Sequence, residues 1–438
     1  MLEEQPIYND EIMVQWNGEI FSGVPLDEKL SDTRILFEKL KEDTDSFIDV
    51  LSMIIGPWAI VIFDRIKNTV YFGRDALGRQ SLLLNEFDNH DSFGFILSSI
   101  AEIENYAGWK EVKYGFLYNA KLSNYSAGKS FEIIPLKLNY RFVVSSKISK
   151  PSDTQIVLGL FHLLITETTR CRLIEKGNVE SISLLFSGGI DCTIIACILA
   201  NIIDSKTTID ILNVQFEMLT DEESADRKQA RKVFAYLTKE YSNVKFRFMN
   251  VDVSKNEYLK AKKRVATLLY PSDNKMDLSI GIALWFACQG ETSARIVFTG
   301  SGADELFAGY KRHLTYANHE DSSYLSYSLQ EEIDRIGYRN LGRDERCISD
   351  NGKEARLPYM DERLVDFVCK LPINYKINLD AEENFRNKWV LRKYAKEFLD
   401  LPDWIAGANK RAIQFGSNSA KVEGHSKSGY EKIDAWMQ

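Results

Sequence analysis

The first 170 residues contain no cysteine, and the six that follow, at 171, 192, 197, 288, 347 and 369, include no C-x-x-C pair. That usage excludes a disulfide framework and points to reduced, mostly buried thiols of a cytoplasmic protein. Histidine is scarce. Its five scattered copies give no zinc pattern, and His313 with His319 reads as a coincidence within a loop. Positive charge is not in excess, and a formal net charge of −8 argues against nucleic acid or an anionic membrane as a partner. No apolar run approaches the roughly 18 residues of a transmembrane helix. The opening Met1-Leu2-Glu3-Glu4-Gln5 is too acidic and polar for a secretory signal. Internal repeats and long low-complexity stretches are missing as well.

What is present is a chain of ordinary globular composition, 45% hydrophobic and 27% charged over 438 residues, which predicts two domains. Residues 11–143 carry short strand-like runs at Ile12–Trp16, Trp58–Phe63, Val70–Gly73, Ser81–Leu84, Phe93–Ser98 and Glu132–Val144, with turn residues between them. They predict an antiparallel, sheet-rich domain over 1–145. The polar segment Ser145–Thr154, with Pro151, reads as a linker. From 152 to 438 the pattern alternates: helix 155–174, strand 181–186, helix 192–201, strand 208–216, helix 222–240, strand 244–251, a helical region 277–289 and strand Arg295–Thr299. Such alternation predicts a parallel sheet covered on both faces. Helical signals follow at 325–338, 361–370 and 385–399, and the tail 416–438 is polar.

At the end of the first strand of the second domain stands Leu184-Leu185-Phe186-Ser187-Gly188-Gly189-Ile190-Asp191-Cys192. A buried strand that runs into a hydroxyl residue and two glycines, and then into a helix, can deliver a phosphate onto a helix N-terminus. Paired glycines let several N–H groups approach an anion with no Cβ in the way. Ser187 can donate a further hydrogen bond, and Asp191 can hold a magnesium ion. The spacing is not the Walker type; it is the S-G-G-x-D pattern of enzymes that split ATP into AMP and pyrophosphate. Read blandly, the same residues are a strand-to-loop junction.

The logic repeats at Val297-Phe298-Thr299-Gly300-Ser301-Gly302-Ala303-Asp304-Glu305-Leu306-Phe307-Ala308-Gly309-Tyr310. A strand meets small residues, then a carboxylate pair, then a helix start. Alone, this could be a flexible turn whose acids favour a helix N-terminus. Paired with the first loop it would grip the other side of a pyrophosphate, with Asp304 and Asp191 sharing Mg²⁺. Both loops fall at carboxyl ends of predicted strands, where ligands bind in such sheets.

Together the two loops make the sequence similar to the class B, glutamine-hydrolysing asparagine synthetases. The resemblance extends through Ser224-Ala225-Asp226, Glu354-Ala355-Arg356-Leu357-Pro358-Tyr359-Met360-Asp361 and Asn387-Lys388-Trp389-Val390-Leu391-Arg392. In the first domain it takes in Trp16-Asn17-Gly18-Glu19-Ile20-Phe21 and Gly73-Arg74-Asp75-Ala76-Leu77-Gly78-Arg79. Three further runs, Asn340–Arg346, Gly352–Arg356 and Lys410–Gly416, resemble the asparagine synthetase domain-containing branch.

The resemblance implies an Ntn-hydrolase-like glutaminase domain followed by an adenine-nucleotide α-hydrolase-like ATP pyrophosphatase domain. It implies ATP and Mg²⁺ as cofactors, and asparagine biosynthesis through an aspartyl adenylate attacked by ammonia. Ser187, Gly188 and Gly189 would cradle the pyrophosphate, with Thr299, Gly300 and Asp304 opposite, and Asp191 with Asp304 as metal ligands. Leu185 and Val214 would flank the adenine. Lys388 would stabilise charge on the phosphates, and Asp361 would orient the amino-acid substrate or Lys388. Asp361 also fits a plain helix cap before Glu362-Arg363-Leu364, and Lys388 a solvated lysine. Asn17, Gly18, Glu19 and Asp32 match the glutamine site. The partners implied are small molecules (aspartate or a related carboxylate, ammonia or glutamine), and a homodimer is compatible with the family.

Three departures qualify these expectations. Ser301 stands where the synthetases carry Glu, and a hydroxyl cannot act as a base near neutral pH. Cys192 replaces a serine and donates more weakly to phosphate. The chain opens Met-Leu, where the family's glutaminase uses an N-terminal cysteine, so a silent glutaminase half with a vestigial glutamine site is expected, whether from a degenerate half-domain or from a truncated or alternative-start sequence. Two alternatives remain: adenylation of a different substrate, and an ATP-binding scaffold without synthetase activity.

Overall fold

A computed structural model describes residues 3–27, 29–42, 46–89, 92–101, 108–122, 133–140, 142–148, 153–173, 180–217, 222–318, 323–409 and 411–422. Two compact units divide the chain: Met1–Arg141 with Ile336–Arg346, and Phe142–Arg335 with Cys347–Gln438.

The first unit is built on antiparallel strands. β1 (Ile7–Tyr8), β2 (Ile12–Gly18), β3 (Trp58–Asp64), β4 (Thr69–Arg74), β8 (Phe116–Lys121) and β9 (Ile133–Lys137) form one sheet in the order β1-β2-β3-β4-β8-β9. β5 (Leu83–Asn89), β6 (Ser92–Ser98) and β7 (Trp109–Glu111) form a second, ordered β6-β5-β7. Period-two alternation explains the layering. On β3, Trp58, Ile60 and Ile62 enter a core that includes Leu36, Leu40 and Leu51 of α1 (Asp32–Glu42) and α2 (Phe47–Met53). Ala59 and Val61, on the opposite face, pack with Leu82, Val112, Leu84 and Leu97 at the second sheet. The sequence reading does not anticipate β1, α1, α2, β7 or β8. It also sets β5 two residues early and runs β9 past its end, Glu132 itself lying outside the described residues.

Buried charge locks this unit. Arg74 donates to Glu111 at 2.6 Å and to the Gly78 carbonyl at 2.6 Å, while Arg346 donates to the same carboxylate at 2.9 Å and to the Ser81 hydroxyl. Asp75 accepts from the Trp58, Leu77 and Arg79 amides and from the Arg79 guanidinium. The Gly73–Arg79 motif is therefore a structural turn.

The second unit holds a five-stranded parallel sheet, ordered β12-β11-β10-β13-β14, from β10 (Ser181–Leu185), β11 (Thr208–Phe216), β12 (Lys245–Val253), β13 (Ile296–Phe298) and β14 (Glu354–Arg356). β10 is buried almost throughout, Ser181 and Ser183 included, as a central parallel strand should be. The helices are α3 (Thr154–Arg170), α4 (Ile190–Ile202), α5 (Ala225–Glu240), α6 (Lys255–Leu269), α7 (Lys275–Ala287) and the short α8 (Ala303–Leu306), with further helices beyond. α4 is apolar on every side and buried on every side. A capping box between Ser254 and Glu257 starts α6. β14 was not expected as a strand; at three residues it is too short to show a period. The architecture, antiparallel sheets followed by a parallel sheet, is of the class the sequence indicates. Of the expected linker, 149–152 lie outside the described residues, and Ser145 N–H already bonds the Cys369 carbonyl at 2.8 Å.

Glu111→Ala would leave Arg74 and Arg346, 0% and 2% exposed, without their shared carboxylate. Denaturant unfolding of the first unit is expected to show a loss of about 3–5 kcal/mol; an unchanged midpoint would mean that the network does not anchor the unit.

Candidate active site at the ends of two parallel strands

Register brings the two loops together. β10 and β13 pair directly, Ser183 with Val297 and Leu184 with Phe298, so the residues that follow each strand leave the sheet side by side. Gly188 adopts φ +74°, and a Cβ there would come within 2.8 Å of the Gln229–Ala230 backbone of α5. The position therefore admits only glycine. Gly189 caps α4, whose N-terminus presents the dipole and free N–H groups suited to an anion. Ser187 Oγ accepts from the Gly189 amide at 3.3 Å. The Cys192 thiol bonds the Gly189 carbonyl, and burial pushes its pKa up to about 11, so it is no nucleophile.

The loops converge on one side chain. Lys388 Nζ lies 2.7 and 2.6 Å from the two Asp191 carboxylate oxygens and 2.8 Å from Asp304 Oδ1. The lysine side chain is 1% exposed, against 21% and 18% for the two carboxylates. Burial by itself would lower the lysine pKa; the two carboxylates outweigh it and raise it, so the group stays cationic. Its backbone is held in the left-handed region, at φ +52°. Three bonds impose that conformation: Asn387 Nδ2 to the Gly309 carbonyl, Lys388 N–H to the Phe307 carbonyl, and Trp389 N–H to the Lys376 carbonyl. Gly309 completes the fit, because a Cβ there would sit 2.0 Å from Asp304 Oδ1 and 2.4 Å from Lys388 Cε.

The remaining expected residues fall in several places. Thr299 and Ser301 hydrogen-bond each other through their hydroxyls at 2.9 Å, and Gly300 lies against Asp191, its virtual Cβ 3.0 Å from the Asp191 Cβ. Leu185 ends β10 partly exposed, and Val214 is buried on β11, two residues past Leu212, the register partner of Leu185. Asp361 takes its capping place and not one beside Lys388. It caps the helix Glu362–Lys370, is fully buried, and is held by Arg172 at 2.9 Å and by Arg363 at 2.9 and 3.0 Å. Although burial opposes it, those two guanidiniums hold the carboxyl well below the usual range. In the first unit Asn17 is exposed, Gly18 lies opposite Trp58, the Glu19 amide bonds the Pro57 carbonyl, and Asp32 Oδ2 accepts from the Ile20 amide at 2.7 Å.

Two contributors were not assigned from sequence. Gly309 lies inside the quoted loop, and its signal was a second glycine beyond the carboxylates. Tyr359 donates to the Asp191 carbonyl at 3.1 Å, and nothing in its spacing marks it.

The two carboxylates suit magnesium, which commonly uses one or two carboxylates together with substrate phosphates. Among the described residues no group of three or more His, Cys, Asp or Glu forms an all-protein cage. With Lys388 the cluster carries one net negative charge; a divalent cation would turn it positive and able to hold a polyphosphate.

A family model described as asparagine synthase matches residues 163–332 and 315–433, and one described as a glutamine amidotransferase domain matches 1–103. An asparagine synthetase domain-containing protein of Saccharomyces cerevisiae is 32% identical, over 94% of this chain and 80% of its own. Asparagine synthetase domain-containing protein 1 of Homo sapiens is 29% identical, over 97% and 86%. The glutamine-hydrolysing asparagine synthetase of Gallus gallus is 24% identical, over 95% and 75%. These relatives include the branch that the sequence motifs indicate.

Beyond the second loop, in the separate helix Lys311–Ala317, lies His313, fully buried, with Nε2 4.0 Å from Glu332 Oε1. Burial, with Arg312 beside it, lowers its pKa to about 4 from 6.5. The unfolded chain therefore binds a proton between pH 6.5 and 4 that the folded chain refuses, and stability falls as the pH drops through that window. Urea unfolding across it is expected to show a loss on the order of 3 kcal/mol that His313→Phe removes; identical profiles for the two proteins would refute the assignment.

Proposed function

The chain belongs to the asparagine synthase family, and from that membership we propose that its second unit is an ATP-dependent, AMP-forming carbon–nitrogen ligase of asparagine synthetase type. The observation that carries the reading is one buried ammonium touching the carboxylates of both strand-end loops. ATP would activate the side-chain carboxylate of aspartate, or of a related acid, as an acyl-adenylate. Pyrophosphate leaves, ammonia attacks the acyl carbon, and AMP departs as the amide forms.

In this reading the Gly188 and Gly189 amides and the Ser187 hydroxyl hold the phosphates, and Thr299 with Gly300 forms the facing wall. Magnesium, bound by Asp191 and Asp304, would neutralise the phosphate charge. Lys388 is positioned to stabilise negative charge that grows on the leaving pyrophosphate, and its fixed placement needs no reorganisation at that moment. Tyr359 and Gly309 are positioning residues. Asp361, held by Arg172 and Arg363, supports the same region without touching Lys388. Leu185 and Val214 would lie beside the adenine. All six cysteines are free and buried, and no helix among the described residues is long and apolar enough to cross a membrane; a cytoplasmic ligase agrees with both.

A second reading rests on Ser301. Its hydroxyl is paired with Thr299 and offers no base for an incoming ammonium. That favours a different acid or nucleophile while leaving adenylation intact.

Protein incubated with ATP, Mg²⁺, aspartate and ammonium is expected to release pyrophosphate and form asparagine. Lys388→Met should cut the rate by at least about a hundredfold, and Gly309→Ala should do the same while the fold, followed by circular dichroism, persists. Pyrophosphate without asparagine would select the second reading. Nucleotide binding with neither product would leave a scaffold and end the ligase proposal.

A further inference from the structure

Arg392 lies one turn beyond Lys388, on the helix Trp389–Glu397, and its guanidinium bonds only carbonyl oxygens. Nε donates to the Asn387 carbonyl at 2.9 Å, and Nη2 to the Asn387 side-chain oxygen at 3.4 Å. Nη1 donates to the Ala406 and Ala408 carbonyls at 2.6 and 3.1 Å, at the end of the short helix Asp403–Ala406. All of these acceptors are neutral. The residue is 2% exposed, and among the described residues it forms no ion pair. A buried cation without a counter-ion is costly, and such groups gather where their charge has a use.

Two features supply a use. The first is geometric: Asn387, gripped at both of its oxygens, is the residue whose Nδ2 holds the Gly309 carbonyl and which leads into the left-handed Lys388. The Arg392 amide bonds the Lys388 carbonyl as well, at 2.9 Å. The second is electrostatic. Burial lowers the guanidinium pKa, and the carboxylates that counter it are Asp191 and Asp304, the same two that meet Lys388. The Arg392 charge thus acts on both loops without an ion pair to either.

Resting on the ligase reading above, we infer that Arg392 is a positioning residue of the phosphate site. It locks Asn387, and through it the turn that aims Lys388, and it holds a second positive charge within reach of the loop carboxylates. Without the fork, Lys388 drifts from the leaving pyrophosphate. Without the charge, Asp191 and Asp304 attract a metal ion more strongly.

Three variants separate the two effects, read by Mn²⁺ binding in electron paramagnetic resonance and by pyrophosphate release. Arg392→Lys keeps the charge and loses the fork. It should bind Mn²⁺ as the native chain does while kcat falls by about a hundredfold at an unchanged KM for ATP. Arg392→Gln loses the charge too and should bind Mn²⁺ roughly tenfold more tightly, since a cation that repels the metal has gone. Asn387→Ala, at a half-buried position, should lower kcat like Arg392→Lys, with native Mn²⁺ affinity. Weaker Mn²⁺ binding in both Arg392 variants would mark a merely structural residue and overturn the inference, as would a native kcat in Asn387→Ala. A native chain that takes up no Mn²⁺ overturns it even if pyrophosphate is released. If Mn²⁺ binds and no pyrophosphate appears, the ligase reading ends, and the Mn²⁺ affinities alone decide: Arg392→Gln tighter than native upholds the inference, and any other order overturns it.

Discussion

An ammonium buried to 1% exposure would cost several kcal/mol if isolated, on the order of what an uncompensated interior charge demands. Lys388 is held there because Asp191 and Asp304 arrive from two neighbouring strands and meet it at 2.6–2.8 Å. Each partner depends on a different part of the second unit. Asp191 is placed by the Gly188 turn and the first turn of α4, and Asp304 by α8 following β13. Lys388 itself is placed by three consecutive backbone and side-chain bonds that force a left-handed residue, a conformation costing about 1–2 kcal/mol. The sheet register is the common cause, since a β10–β13 slip would separate the acids.

Charge is partitioned into separate buried clusters. The Asp361 carboxylate is saturated by Arg172 and Arg363, so it holds a helix start without drawing on Lys388. Lys388 serves only the two loop carboxylates among the acids that it contacts. That leaves a cluster one charge short of neutrality, which suits a divalent cation and discourages bare phosphate. In the first unit, the single carboxylate of Glu111 is shared by two buried guanidiniums, those of Arg74 and Arg346.

The two loops were legible because glycine and carboxylate punctuation after an apolar strand has few structural meanings. Parallel strands were legible from short, largely apolar runs alternating with helical stretches, although β10 carries Ser181 and Ser183 and β11 carries Thr208, Asp210, Asn213 and Gln215. Lys388 was legible only through resemblance, because its neighbours Trp389–Arg392 look like any amphipathic helix start. Asp361 could be read as a cap or as a site residue; it caps the helix by accepting from the Arg363 amide, and one of its two guanidinium partners, Arg172, is distant in sequence. β14 and α2 were too short to show a period, and Tyr359 acts through a hydroxyl whose target, a backbone carbonyl, leaves no pattern.

The account depends most on the two loop carboxylates serving one cation and one phosphate chain. A crystal structure with a non-hydrolysable ATP analogue and Mn²⁺, using the anomalous signal of manganese, measures that directly. The predicted result is a manganese peak bonded to both Asp191 and Asp304, with the analogue's phosphates over Gly188 and Gly189. Manganese bound elsewhere, or phosphates resting on another surface while Lys388 still bridges the two acids, would contradict it.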